Sequence, residues 1–166
     1  MSVEVSDYVD VKQRAAELGC NVPTGLAILP RNFDTAASKA DLAHQNPVPT
    51  IRVLWRKAEL IETRIEQQGD RFPFVKDTEF GGWLGPVVFV GSSLLAGDPD
   101  AVSRAIGIIA DYLTGWYAVV SAEQKVKLDI VVELGGGAGC KRIDYLGDVE
   151  GLRELPPLVL KVGRQG

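Results

Sequence analysis

The chain has 166 residues, enough for one domain with a sizeable core, and its 46% hydrophobic and 24% charged content is that of an ordinary globular protein. Eighteen Lys and Arg against 22 Asp and Glu leave a formal charge of -4, the wrong sign for a chain that holds nucleic acid by its phosphates. The most apolar stretch, Trp83 to Gly97, is interrupted by Pro86, Ser92 and Ser93 and falls short of the roughly 20 residues of a spanning helix, so no membrane association is expected.

The first residues, Met1-Ser2-Val3-Glu4-Val5, carry neither a basic nor an apolar leader pattern, and the expected location is cytoplasmic. Ser6 can cap a helix, Asp7 and Asp10 suit its positive end, Val11, Ala15 and Leu18 recur at helical spacing, and Gly19 supplies a stop. The spacing predicts a helix over 7–18. The apolar run Leu26-Ala27-Ile28-Leu29, closed by Pro30, reads as a buried strand, with Arg31-Asn32-Phe33-Asp34 as the loop leaving it. Asp34 can cap a weak helix over 35–43. Thr50 can cap another over 51–60, where Ile51, Leu54, Trp55 and Ala58 form an apolar face and Arg52, Arg56 and Lys57 a basic one.

Ile61, Thr63 and Ile65 alternate with charge, as in an exposed strand, and residues 66–82 read as a long connection. Val87-Val88-Phe89-Val90 is the strongest buried-strand signal, followed by a Gly91-Ser92-Ser93 turn. Asp98-Pro99 opens a long helix whose apolar stripe runs from Val102 to Trp116. Val126, Leu128, Ile130 and Val132 alternate with polar residues, a glycine loop spans 135–139, and Arg142 begins a return strand: a C-terminal β-hairpin. Asp148 can cap a short helix that Pro156-Pro157 should disrupt; residues 158–162 suit helix and strand equally.

The fold class predicted is α+β, with a mixed α/β arrangement as the alternative: a single domain of helices on a mixed sheet, in which 98–166 could form a helix-plus-hairpin sub-unit. Reactive side chains are sparse. Cys20, Cys140 and His44 are too few for a structural zinc set, and no metal site or cofactor is expected. The glycine run lacks the Gly-Lys-Ser/Thr ending of a phosphate loop and reads as a hairpin turn. Asp129, Glu133 and Lys141 do not match the spacing of a nuclease hairpin, Gly91-Ser92-Ser93-Leu94-Leu95 is not a nucleophile elbow, and no catalytic residue is assigned.

Two surfaces remain as candidates. Arg31, Asn32 and Asp34 follow a buried strand, where ligands bind in open α/β sheets, and with Ser92 and Ser93 they could border one small-molecule pocket of a sensor or enzyme. Arg52 and Arg56, four apart with Lys57 beside them, repel one another unless an anionic partner or an acidic segment neutralises them. Nucleic acid is a weak candidate for that partner given the overall charge.

Residues 98–155 run Asp98-Pro99, Ile109-Ala110-Asp111-Tyr112-Leu113, Lys127-Leu128-Asp129-Ile130-Val131-Val132-Glu133 and Gly147-Asp148-Val149-Glu150-Gly151-Leu152. This helix, hairpin and capped short helix resemble the small effector-associated modules of bacterial conflict and defence systems. The resemblance covers about a third of the chain and no catalytic motif. It implies a non-catalytic adaptor with a protein partner, and a hairpin strand at a sheet edge could pair with that partner or with a second copy in a homo-oligomer.

Overall fold

In the computed structural model, which describes residues 2–76, 80–120 and 125–165 and the side chains of all of these but 117–120, strand structure begins at once. In chain order the elements are β1 (Ser2–Tyr8), α1 (Val11–Leu18), β2 (Leu26–Leu29), β3 (His44–Gln45), α2 (Val48–Lys57) and β4 (Phe74–Val75). The second half adds β5 (Trp83–Val90), α3 (Ser92–Gly97), α4 (Asp100–Val120), β6 (Val126–Glu133), β7 (Cys140–Gly147), α5 (Val149–Leu152) and α6 (Leu155–Gly163).

Five strands form one mixed sheet in the order β1-β7-β6-β5-β2. Only β5 and β6 run parallel, and α4 makes the crossover between them; the other three contacts are antiparallel. The architecture is α+β, and β6 and β7 form the C-terminal hairpin. Because β6 also pairs with β5, and β7 with β1, residues 98–166 share their sheet with the N-terminal half.

Side chains alternating along the strands build a core on each face. On one, Ile28, Val88, Val90, Leu128, Ile130, Ile143 and Tyr145 meet α2, α4, α5 and α6. On the other, Ala27, Leu29, Val87, Phe89 and Val131 meet α1 and the loop residues Phe33, Ala36, Leu42, Ile65 and Phe72. A sheet covered on both faces explains the unbroken apolar runs in β2 and β5.

Several elements depart from the sequence reading. Residues 2–8 are strand, and the helix cap is Asp10, whose carboxylate accepts from Gln13 N (3.2 Å), so Ser6 caps nothing. No helix forms over 35–43; a single 3-10 turn at Lys39–Asp41 precedes β3. Helix α2 begins at Val48 after Pro47 and buries Ile51, Arg52 and Trp55, while Ala58 is exposed. Residues 61–65 contribute one bridge, Leu26 to Glu62, rather than a strand. Ser92 opens α3 instead of a simple turn. Pro156 and Pro157 lie in the first turn of α6, where a missing N–H has no intrahelical acceptor to lose, so 158–162 are helical.

Candidate interaction site

The second face of the sheet is only partly roofed. Register places Glu4, Ser6 and Tyr8 of β1 beside Asp144, Arg142 and Cys140 of β7, which oppose Asp129, Val131 and Glu133 of β6. Helix α1 covers the Cys140 end. The other end carries alternating charge.

Asp129 is its centre, 2% exposed. Burying a carboxylate in a sheet requires compensating charge, and three cations supply it. Arg31 donates to it (3.0 Å) from the loop after β2, Lys127 lies at 3.3 Å on its own strand, and the Arg142 Nε stands at 3.4 Å without hydrogen-bond alignment. Asp144 closes the ring by accepting from Lys127 and from Arg142 (3.0 Å); burial alone would push its carboxyl up, but Lys127, with Asp129 and Arg142, outweighs burial and holds it below its usual range. Arg31 also donates to the Gly85 carbonyl (2.8 Å), set free where the β5–β6 register shifts between Leu84 and Val87. A Gly-Pro pair inside a strand marks such a bulge, since Pro86 cannot donate to the ladder and a Cβ on Gly85 would lie 2.4 Å from the Trp83 ring.

Three buried polar atoms around this cluster have no hydrogen-bond partner: the Tyr8 hydroxyl, Arg31 Nε and Arg142 Nε. Burial, reinforced by the nearby Asp34 carboxylate, pushes the Tyr8 phenol well above its ordinary range, so it is a neutral donor at any physiological pH.

Alongside this patch runs the open edge of the sheet. All of β1 but Tyr8 is exposed; Val3 is 38% and Val5 46% accessible. Both valines share the face of Tyr145 and Ile143, extending that apolar surface past its helical cover. The register with β7 is unbroken from Ser2 to Tyr8, and the strand holds no Pro, Lys or bulge, the usual devices that blunt an edge. The opposite edge is protected. β2 is buried throughout, Thr63 N donates to Leu26 O (2.7 Å), and Arg52 ties the covering segment down through Glu62 (2.9 Å) and Glu66 (2.7 Å).

The remaining sequence candidates disperse. Leu29 pairs with Val87 and Leu26 with Val90, so the 31–34 loop and the 91–93 turn lie at opposite ends of β2. They do not border one pocket. Asn32 is spent inside its loop, donating to Asp41 O (2.7 Å) and accepting from Ala43 N. Ser92 gives its N–H and hydroxyl to Glu133 (both 2.9 Å), a carboxylate that Lys12 also reaches (3.2 Å), and Ser93 donates to Thr24 O. Arg52 is 8% exposed and neutralised by the acidic segment 62–66, leaving Arg56 and Lys57 as the exposed cations of that helix. Cys20 and Cys140 are free buried thiols, and among the described residues no three His, Cys, Asp or Glu side chains gather as a metal set. No described helix is long and apolar enough to cross a membrane.

Sequence reasoning missed β1, Arg142 and Asp144. A signal for the strand was present in Val3-Glu4-Val5-Ser6, but two valines are too few to outweigh the capping residues that follow. Comparison with protein-family models, curated proteins and solved structures finds no match.

Proposed function

We propose that the chain is a non-catalytic interaction protein, an adaptor, that engages its partner by strand addition along β1. The observation that carries this reading is the asymmetry of the two sheet edges: β2 is buried and clamped, whereas β1 presents seven residues with no Pro, Lys or bulge among them. Alternate outward N–H and C=O groups of such a strand offer a ladder of main-chain hydrogen bonds to an extended segment, and side chains on either face select it. Val3 and Val5 offer apolar contact on one face. Glu4 and Ser6, with Arg142 and Asp144 behind them, offer charge and hydrogen bonds on the other. Two of the polar side chains weighed for chemistry are held by structural partners, Ser92 by Glu133 and Asp129 by its cations. The resemblance of residues 98–155 to adaptor modules points the same way.

Amide hydrogen exchange on the chain, alone and with a partner that copurifies with it, tests the reading. Relative to Val5→Lys, slowed exchange should be confined to residues 2–8. A partner that binds while those amides exchange at the free rate would move the interaction elsewhere and end this reading.

A further inference from the structure

We infer that the strand added to β1 is β1 of a second copy of this chain, antiparallel and centred on Val5, so that two five-stranded sheets join into one. The inference rests on the edge-strand reading above and adds the identity of the occupant. Its basis is the self-complementarity of the seven residues Ser2–Tyr8 in that register.

Centred on Val5, the pairing sets Val5 against Val5, Glu4 against Ser6, Val3 against Asp7 and Ser2 against Tyr8. No like charges oppose one another, and all seven residues are used. Centred on Glu4, two carboxylates would face each other directly, which is destabilising. Centred on Ser6, the overlap shrinks to residues 4–8, which leaves Ser2 and Val3 unpaired and sets no valine against a valine. Registers that set Val5 against Glu4 turn the helix-bearing face of one copy to the other side of the joint sheet, because directly opposed residues share a face.

Charge supports the same register. Glu4 is exposed and forms no ion pair among the described residues, whereas Ser6 lies beside Arg142 on the shared face. Pairing Glu4 with Ser6 of the second copy puts the carboxylate two strands, about 10 Å between backbones, from that copy's Arg142, a span that a Glu and an Arg side chain can bridge together. Asp7, opposed by Val3, keeps its own partner Lys141. On the other face the two Val5 side chains meet and extend the apolar surface that Ile143 and Tyr145 begin, with an Asp7–Lys141 pair at each end. Because β2 is covered, β1 is the open edge of the five-stranded sheet, and a contact of β1 with itself closes as a two-fold dimer.

Sedimentation equilibrium and cysteine cross-linking test this. The chain should sediment as a dimer whose dissociation constant rises at least tenfold in Val5→Lys, with the far-ultraviolet spectrum kept. Val5→Cys should form a disulfide-linked dimer under mild oxidation, since opposed antiparallel residues lie within disulfide reach. Glu4→Cys should cross-link only when mixed with Ser6→Cys. A monomer at all concentrations overturns the second copy as occupant, and the edge reading then stands if a foreign chain protects the β1 amides. A dimer that persists in Val5→Lys with those amides unprotected overturns both. Cross-linking by Val3→Cys alone, with none by Val5→Cys, overturns the register and the proposal with it.

Discussion

Asp129 shows how one residue can fix the charge of a whole face. Its carboxylate is the common counterion of Arg31, Lys127 and Arg142, and it gains attraction from all three while losing its hydration. Asp129→Ala removes the counterion, leaving Lys127 and Arg142 with Asp144 and Arg31 with the Gly85 carbonyl. The expected loss is about 3 kcal/mol of unfolding free energy, read from urea denaturation, since breaking a buried pair strands its partners. Glu66 is a second such centre. Burial would raise its carboxyl, but His44, 3.4 Å away, and the two-pronged Arg52 overcome burial and hold it down to about 2. A depressed folded-state value means that the unfolded chain takes up the proton first as pH falls. The stabilisation is therefore complete above the ordinary carboxylate value of 4.5 and disappears as pH drops toward about 2. In Glu66→Gln the melting temperature should be lower at neutral pH and should decline less between these limits; an unchanged acid limb would show that Glu66 is not a principal source of the pH dependence.

At the scale of single elements, backbone fit decides more than propensity. Gly91 ends β5 where it crosses Gly25, and a Cβ there would lie 2.2 Å from the Thr24 carbonyl oxygen. Gly91→Ala should cost about 2 kcal/mol, because a backbone atom cannot rotate out of the way as a side chain can. Gly107, within α4, has open space where its Cβ would stand, and Gly107→Ala should instead stabilise by up to about 1 kcal/mol through helix propensity. Thermal unfolding of the two variants should move in opposite directions. The same contrast between local and distant causes explains what was legible in the sequence. Buried strands β2 and β5, the stripe of α4 and the alternation of β6 depend on burial and periodicity, which residues announce locally. β1 depends on pairing with β7 at the other end of the chain, and Arg31 meets Asp129 across a separation of 98 residues. The alternation in β6 placed Asp129 on the polar side correctly but implied water, because the Arg31 loop that covers it carries no local sign of where it folds. The prolines of α6 read as a stop for a related reason: Pro in a first turn and Pro after a last turn look alike until the tertiary fold fixes the helix start.

The two edges of the sheet govern the behaviour of the whole molecule, and Arg52 is the residue that makes them unequal. Its guanidinium, buried on α2, holds Glu62 and Glu66 and thereby keeps residues 62–66 against β2. With β2 sealed, association through β1 ends at two copies. Arg52→Ala takes the guanidinium away from Glu62 and leaves Glu66 with only His44 and the exposed Arg64, and loss of this tie should lift the segment from β2. The chain would then carry two open edges, and a contact that closed on itself becomes one that can propagate. Sedimentation velocity on Arg52→Ala should therefore reveal species larger than a dimer that grow with concentration. Adding Val5→Lys should suppress the larger species by blocking one of the two edges. If Arg52→Ala stays at the size of the unaltered protein while its residues 62–66 exchange amide hydrogens faster, β2 is not competent to pair even when uncovered. The limit on assembly would then lie in the short four-residue length of that strand rather than in its cover.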